Sequence, residues 1–365
     1  MESPREHKRG LADKAKIAAL SSALALHKRL KKDGAPPGPG AEFLHAPSSE
    51  FHWNESYYFN FIDPEKRVGG WTRMGILPNQ ESDIGALMLY PGGSRILGVG
   101  RGGRAAVDGG KFEMEKLEYH CLEPLKKWRL RFEGQMADIE DSRRLSEVGP
   151  ENVKLTDVRL DLDFEGMSPC FDFKNTHPAA MAEMIVDAGT RFADLRQVAN
   201  VSGAHYEQAM GISGTIEIGD EEIPFKGSGQ RDHSWGVRDW SAPRLWTWLT
   251  CQFPGGLAFN LSRVAIASVD IFFGYVSRGG VNYPLRRAAL ETEFESDGVT
   301  QKRLRFRVED TGGKTIEITG DALTIAPLRL DAQGHKTLIN EALTEYHFEE
   351  ETGFGISEYL HQLGG

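Results

Sequence analysis

Residues 157–164, Asp-Val-Arg-Leu-Asp-Leu-Asp-Phe, alternate strictly between charged and apolar side chains. Successive side chains of a β-strand point to opposite faces, so this pattern predicts a strand with one face in a core and the other in water. The same alternation occurs at residues 127–132 and again at residues 303–309. Half-buried antiparallel strands are therefore predicted in both halves of the chain.

Glycine-rich turns such as Pro91-Gly92-Gly93 and Pro254-Gly255-Gly256 separate the strand-like segments. Short strands with such turns favour closed or nearly closed antiparallel barrels over a parallel sheet. Two helices are predicted as well, one in the alanine- and leucine-rich residues 11–30 and one from Pro178 to Asn200, where apolar residues recur at helical spacing. The predicted fold class is mainly β, with two consecutive antiparallel β-barrels, an N-terminal helix and a helical segment near their junction.

A chain of 365 residues is long enough for two domains of ordinary size. The predicted division gives residues 1–40 to the N-terminal helix and a linker. Residues 41–200 form the first β domain with its helical junction, and residues 201–365 form a second β domain that carries the segment 231–240 described below.

The net charge of −10 argues against a nucleic-acid partner, because neutralising phosphates requires a basic surface. The three cysteines are far apart and form no CxxC pair, so neither a disulfide framework nor a structural zinc site is indicated. No apolar run approaches the roughly 20 residues that span a bilayer, and no signal peptide is apparent, so a soluble cytoplasmic protein is expected.

The N-terminal helix is basic, with Lys14, Lys16, Lys28 and Arg29. Packing against the body of the protein is the favoured interpretation. The alternative is contact with a membrane surface or with another subunit.

Residues 231–240 concentrate two Arg-Asp pairs, a histidine and two tryptophans. Buried charges cost several kcal/mol unless they are paired, so such a cluster is either a polar lock between strands or a working site. If Asp232 or Asp239 faces an apolar interior, burial raises its pKa and makes it a general acid, with His233 relaying the proton. If the arginines pair with the aspartates, both carboxylates stay ionised and the segment is structural.

Residues 244–253 follow this segment and place Trp246 and Trp248 on one face of a predicted strand. Tryptophans that point into a barrel would line a pocket that is apolar with a few polar groups, as small-molecule sites are. Glu207 and Glu358 lie in two further polar clusters and are predicted as pocket walls. The expected partner is a large apolar small molecule.

Other kinds of site are not indicated. Residues 98–103 are glycine-rich, but no GK[ST] follows, and there is no GxSxG for a serine hydrolase. His205, Asp232, His233 and His347 have no spacing that requires a metal. No cofactor and no metal are therefore expected.

Gly229 to Gly236, followed by Arg238-Asp239-Trp240, resembles the Asp-His-x-Trp-Gly signature of the carotenoid 1,2-hydratase-like superfamily of tandem lipocalin-like proteins. The ending Gly355 to Tyr359 is a weaker point of similarity. The resemblance implies two consecutive lipocalin-like (calycin-type) barrels over about residues 51–360. It also implies an apolar ligand within or between the barrels. The superfamily includes hydratases of isoprenoid chains, fungal pericyclases that close decalin rings, and stress-survival proteins thought to bind lipid.

The hydratase precedent implies that Asp232, assisted by His233, protonates an alkene and that water quenches the resulting carbocation. Trp246 and Trp248 would stabilise that cation through their ring faces. The basic N-terminal helix and the helical segment from Pro178 to Asn200 depart from the classical hydratases.

The sequence thus predicts a lyase or hydratase, isomerase or cyclase that acts by acid-base chemistry, without a cofactor, on an isoprenoid, steroid or polyketide-like molecule. The alternative is a lipid-binding or carrier protein without catalysis. The predicted catalytic residues are Asp232, His233 and Asp239. The predicted substrate-binding residues are Arg231, Trp235, Arg238, Trp240, Trp246, Trp248, Glu207 and Glu358.

Overall fold

A computed structural model describes residues 10–30, 37–148, 151, 153–187, 189, 204–238, 242–267, 269–332 and 335–363. These residues form mainly antiparallel β-structure, with helices α1 (Leu11–Leu30) and α2 (Pro178–Asp187). Short 3-10 turns occur at Pro39–Glu42, Ser142–Arg144 and Phe173–Asn175.

The first sheet has twelve strands. They are β1 (Trp53–Asp63), β2 (Val68–Ile76), β3 (Asp83–Gly92), β4 (Arg95–Gly103), β5 (Ala106–Asp108), β6 (Lys111–Met114), β7 (Leu117–Glu123), β8 (Lys127–Ile139), β9 (Lys154–Gly166), β10 (Phe171–Asp172), β11 (Ala204–Ile218) and β12 (Glu221–Val237). Pairing runs β12-β1-β2-β3-β4-β8-β9-β11 and returns to β12, so eight strands form a closed circuit. Aromatic and aliphatic side chains, among them Phe59, Trp128 and Leu162, fill its interior.

The second sheet is a closed barrel of eight strands in sequential order. They are β13 (Leu245–Gln252), β14 (Ala258–Ile266), β15 (Val269–Arg278), β16 (Val281–Phe294), β17 (Gln301–Asp310), β18 (Thr315–Ala332), β19 (His335–Phe348) and β20 (Glu351–Gln362). Leu249, Phe259, Phe306 and Tyr346 belong to its interior core. The predicted tandem-barrel fold is confirmed.

The strands predicted from alternation at residues 127–132, 157–164 and 303–309 lie in β8, β9 and β17, and α1 has the predicted bounds. The second predicted helix begins at Pro178 and is described to Asp187, while residues 188 and 190–200 of that prediction lie outside the described residues.

The predicted placement of the segment 231–240 in the second barrel is wrong for residues 231–237, and residues 239 and 240 lie outside the described residues. β11 and β12 pair with β9 and β1, so residues 204–237 complete the first barrel. Alternation identifies strands but does not show which sheet a strand joins, and the first circuit closes only with these two late strands. Residues 231–237 lie within β12.

The two barrels pack through a third apolar cluster. The first sheet contributes Trp71 and Tyr90, and the second contributes Trp246 and Phe273. The Tyr90 hydroxyl donates to the Glu341 carbonyl at 2.9 Å and accepts from Trp71 Nε1 at 3.1 Å. Apolar burial and buried hydrogen bonds together therefore fix one barrel against the other.

The helices pack on the outside of this assembly. α1 contacts α2, and α2 contacts β15 and β16. Glu183 of α2 accepts from Arg286 Nη2 at 3.0 Å. None of the helices within the described ranges is long and apolar enough to cross a membrane.

Candidate active site

Strand alternation divides residues 231–235 between two environments. Arg231 and His233 lie opposite Phe59 and Tyr57 of β1, whose side chains belong to the interior core of the first barrel. Asp232 lies opposite Tyr58, which belongs to the cluster between the barrels. Neighbouring residues of this segment therefore face opposite sides of β12 and serve different purposes.

Arg231 is part of a buried polar lock. It is 1% exposed, and its Nη2 donates to Glu42 Oε1 at 2.6 Å while its Nε donates to Gln208 Oε1 at 2.8 Å. The guanidinium also lies over the Tyr206 ring. Because Glu42 belongs to the 3-10 turn before β1, this ion pair ties that turn to the barrel wall. Arg231 is thus held by the protein's own groups in the interior of the first barrel.

His233 belongs to the same lock. Its Nε2 lies 2.9 Å from Glu55 Oε1 and its Nδ1 lies 3.0 Å from the Tyr206 hydroxyl. Glu55 also accepts from His45 Nδ1 at 2.8 Å, and Trp235 stacks on the His45 ring at 3.8 Å. Both ring nitrogens of His233 are therefore engaged on the face opposite Asp232. The structure does not bring His233 and Asp232 together as the predicted proton relay requires. Trp235 packs on His45 and does not face the cluster between the barrels.

The other face of the first barrel presents a row of polar side chains. In register across β2, β1, β12 and β11 lie Arg73, Tyr58, Asp232 and Glu207. Asp232 and Arg73 are half-buried, whereas Glu207 is 1% exposed. A row of cross-strand neighbours keeps its members close together, so Asp232 and Glu207 form a carboxyl pair.

The second barrel presents a matching row. Glu341, Glu358, Trp248 and Ser262 are in register across β19, β20, β13 and β14. Glu341 is buried and Glu358 is half-buried. Glu341 and Glu358 are thus a second carboxyl pair, and it faces the first.

Direct contacts join the two rows. Trp248 Nε1 donates to Glu207 Oε1 at 2.9 Å, and the Trp248 ring meets Tyr58 edge-on at 5.3 Å between centroids. Gln230 Nε2 donates to Glu207 Oε2 at 2.8 Å and to the Tyr275 hydroxyl at 2.6 Å. His205 Nε2 lies 4.0 Å from Glu207 Oε1. The prediction that Trp246 and Trp248 point into a barrel is wrong, because both lie in the cluster between the barrels.

We call Glu207, Asp232, Glu341 and Glu358 the carboxyl cluster. Burial raises the pKa of all four, and it raises the pKa values of Glu207 and Glu341 well above their ordinary range. The charge of Asp232 adds to the effect at Glu207, and that of Glu358 adds to the effect at Glu341.

Two arginines oppose this effect. The positive charges of Arg238 and Arg73 lower the pKa of Asp232 and of Glu358, although burial still dominates. Four carboxyl groups beside two guanidinium groups are neutral when two protons are retained. Burial therefore favours retention of a proton that the two members of a pair share.

The structure brings together a subset of the predicted site residues around the carboxyl cluster. They are Asp232, Glu207, Glu358, Trp246, Trp248 and Arg238. Arg231, His233 and Trp235 belong to the lock instead. Asp239 and Trp240 lie outside the described residues.

Arg73 and Glu341 were not predicted. Each is a charged residue on a strand face that also carries apolar core residues, Trp71 beside Arg73 and Leu343 beside Glu341. That break in the apolar pattern is the sequence signal that could have identified them.

Two groups of side chains have the spacing of metal ligands. The ligand atoms of His45, Glu55 and His233 lie within 4.8 Å of one another, and so do those of His205, Glu207 and Asp232. In the first group the Glu55 carboxylate already bridges both rings by hydrogen bonds. The second group includes one of the carboxyl pairs described above.

A family model described as a domain of unknown function, DUF7064, matches residues 38–363. A comparison with curated proteins gives no significant sequence match.

Several solved structures share the fold. The Nitrosomonas europaea protein NE1406, provisionally named AttH, is 15% identical, with 89% of this chain and 98% of that chain covered and a TM-score of 0.58. Kievitone hydratase from Nectria haematococca is 11% identical, with coverages of 90% and 96% and a TM-score of 0.50. CghA with Sch210972 is 11% identical, with coverages of 87% and 93% and a TM-score of 0.50. At these identities the similarity establishes the fold.

Proposed function

The chain belongs to the DUF7064 family of domains of unknown function, and we propose that it is an enzyme whose carboxyl cluster performs acid-base chemistry on a hydrophobic small molecule. The reaction class that fits best is addition of water to a carbon-carbon double bond, with elimination, isomerisation or ring closure as related outcomes of the same proton transfer. The observation that carries the proposal is that two carboxyl pairs, each with one deeply buried member, face each other across the contact between the barrels.

Such a cluster is costly for the fold. Carboxyl groups that lose water without gaining a matching cation destabilise the folded state, and groups with raised pKa values concentrate at functional sites. Half-burial of Asp232 and Glu358 leaves each beside space that water can enter. In each pair the deeply buried member, Glu207 or Glu341, lies beside a half-buried one, which can exchange a proton with a bound molecule.

In the proposed reaction the Asp232 carboxyl O–H bond breaks and its proton forms a C–H bond with one alkene carbon, using the π electrons. The other alkene carbon becomes a cation. The aromatic rings of Trp248 and Tyr58 lie where they can stabilise that charge, and Arg73 and Arg238 stabilise the Asp232 carboxylate that is left. A water oxygen then bonds to the cation and its proton passes to the Glu358 carboxylate. One water is added, and the cluster regains its starting state when Glu358 releases that proton and Asp232 takes one up.

The structural relatives support this class of chemistry. One is a hydratase by name, and another was captured with the compound Sch210972. Folds host many functions, so this support is by analogy, and the assignment to the carotenoid 1,2-hydratase-like superfamily and to isoprenoid, steroid or polyketide-like substrates is part of the proposal.

The test compares the wild-type protein with Asp232→Asn by native mass spectrometry and organic extraction of co-purifying molecules. The wild type is expected to carry a product and Asp232→Asn a precursor that differs from it by one water or by an isomerisation. With the extracted precursor as substrate, the variant should be at least about 100-fold slower, as expected for loss of a general acid.

Asp163→Asn, at an exposed ion pair on β9, is the control and should match the wild type. If wild type and Asp232→Asn carry the same unmodified molecule and neither converts it, the enzyme proposal fails and a carrier function replaces it.

A further inference from the structure

Helix α1 is attached to the body of the protein along one side only. Asp13, Ile17, Leu20 and Leu24 are half-buried, and they share a face at helical spacing. This face packs on α2, and Lys28 Nζ donates to the Thr176 carbonyl at 3.5 Å.

The opposite side of α1 carries an exposed apolar stripe. Its members follow one another at intervals of three or four residues and are Leu11, Ala15, Ala19, Ser22, Leu26 and Leu30. Leu11 is 89% exposed, Leu26 is 58% exposed and Leu30 is 75% exposed. Lys14 and Lys16 flank the stripe on its two sides. Exposed leucines with lysines on either side allow a helix to lie on a membrane surface.

A second copy of the chain or a lipid surface could cover this stripe, and the charge of the helix distinguishes between them. Residues 1–33 contain nine lysines or arginines and four acidic residues, although the whole chain has a net charge of −10. A second copy of the chain would bring Lys14, Lys16 and Arg29 close to the same residues of its partner. An anionic lipid surface instead complements them, and each basic side chain near it strengthens binding.

A chain of contacts connects the helix to the carboxyl cluster. Thr176, which α1 contacts through Lys28, ends the 3-10 turn that contains Phe173. Phe173 stacks on the His205 ring at 3.9 Å between centroids. His205 in turn lies with Glu207 and Asp232 in one group of ligand atoms within 4.8 Å. These contacts link α1 to this end of the cluster.

We propose that α1 binds the protein to anionic membrane surfaces and that the hydrophobic substrate enters the site from the bilayer. The second part rests on the proposed function, but the first does not. An apolar substrate partitions into lipid, so an enzyme bound to the membrane meets a higher concentration of substrate there than in water.

The test is co-sedimentation of the full chain with vesicles of phosphatidylcholine alone or of phosphatidylcholine with phosphatidylserine. The wild type should bind the serine-containing vesicles and leave the neutral ones largely unbound. The double variant Lys14→Glu with Lys16→Glu should lose binding by at least about tenfold. Lys116→Glu with Lys302→Glu makes the same change in net charge at exposed positions, in the turn between β6 and β7 and on β17, and should bind as the wild type does.

A second pair of variants tests the apolar stripe. Leu26→Glu should lose binding by at least about tenfold, whereas Leu155→Glu, at a β9 position that is 55% exposed, should not. Absence of wild-type binding to serine-containing vesicles would overturn the proposal, as would equal binding by the lysine variant. If the wild type does not bind vesicles but forms a dimer that Leu26→Glu dissociates, the stripe contacts a second copy of the chain instead of a membrane. Vesicle binding needs no substrate, so its failure would leave the proposed catalysis standing.

Discussion

Arg231 shows how a single buried charge depends on its partner. Its guanidinium is bound by Glu42 and Gln208 and is shielded from water. We expect Arg231→Leu to lower the free energy of unfolding by about 3–5 kcal/mol, because Glu42 is left as a buried charge without its cation. Arg231→Leu with Glu42→Leu should recover a large part of that loss. Urea denaturation measures both.

The control for this prediction is Arg131→Leu. Arg131 pairs with Asp161 at 3.0 Å, but both side chains are about half exposed, at 50% and 48%. Its loss should cost no more than about 1 kcal/mol. Equal losses at Arg131 and Arg231 would show that the buried ion pair does not hold the lock together.

Glu341 destabilises the folded state, whereas Arg231 stabilises it. Burial and the charge of Glu358 raise its pKa well above the ordinary value of 4.5. The folded protein therefore holds this proton more tightly than the unfolded chain, and wild-type stability falls as the pH rises above about 4.5. Glu341→Gln has no proton to lose, so it should be more stable than the wild type at pH 8 and nearly equal to it at pH 4.

Thermal unfolding at several pH values measures this difference. Glu165→Gln, at an exposed position on β9, is the control and should leave the profile unchanged. A Glu341→Gln protein that is less stable than the wild type at pH 8 would mean that the carboxylate is well compensated, contrary to our view of the cluster.

Sequence reasoning identified Asp232 because its neighbours are unusual, and it could not tell which way each neighbour pointed. The charge-dense residues 231–233 divide between two environments, on alternate residues. Arg231 and His233 form the lock, while Asp232 faces the second barrel. Arg73 and Glu341 had no comparable local signal, because their partners are far away in sequence and meet them only through strand register.

At the scale of elements, alternation and turns predicted the strands well, because period two is a local property of the chain. The direction in which a strand faces is not local. Trp246 and Trp248 share a face, as predicted, but that face lies against the first barrel and not inside the second. The interior of the second barrel is filled from Leu249 and Cys251, on the other face of the same strand.

The pairing of β1 with β12 determines where Asp232 lies, and Gly229 permits that pairing. A Cβ atom at Gly229 would lie 1.9 Å from the Asn60 carbonyl oxygen, which is main chain and has little freedom to move. We expect Gly229→Ala to cost at least about 2 kcal/mol and to weaken activity, because β12 must shift away from β1. Gly100→Ala, on β4 with open space around it, should change stability by less than about 1 kcal/mol.

Denaturation together with turnover of the extracted substrate checks this prediction. A Gly229→Ala protein with wild-type stability would show that β1 and β12 can separate without cost. The register that aligns Asp232 with Tyr58 would then be less rigid than we infer.

For the molecule as a whole, the site exists only because two barrels meet. Each barrel interior is packed with side chains, and each contributes one carboxyl pair to the surface between them. Arg73 and Arg238 both belong to the first barrel, and their charges lower the pKa of Asp232 in one row and of Glu358 in the other. The energetics of one barrel should therefore depend on residues of the other.

A double-mutant cycle between Asp232 in the first barrel and Glu358 in the second tests this dependence. The charge of Asp232 raises the pKa of Glu358, so the two carboxylates repel each other when both are ionised. Asp232→Asn and Glu358→Gln each remove that same repulsion. At pH 8 the double variant should therefore be less stable than the sum of the single effects predicts, by at least about 0.5 kcal/mol. The coupling should shrink at pH 4, where protonation removes the repulsion.

Asp232→Asn combined with Asp163→Asn should be additive within about 0.5 kcal/mol. Additive behaviour of Asp232 and Glu358 at pH 8 would mean that the two carboxyl pairs act independently, and the shared-proton site would then be two separate ones.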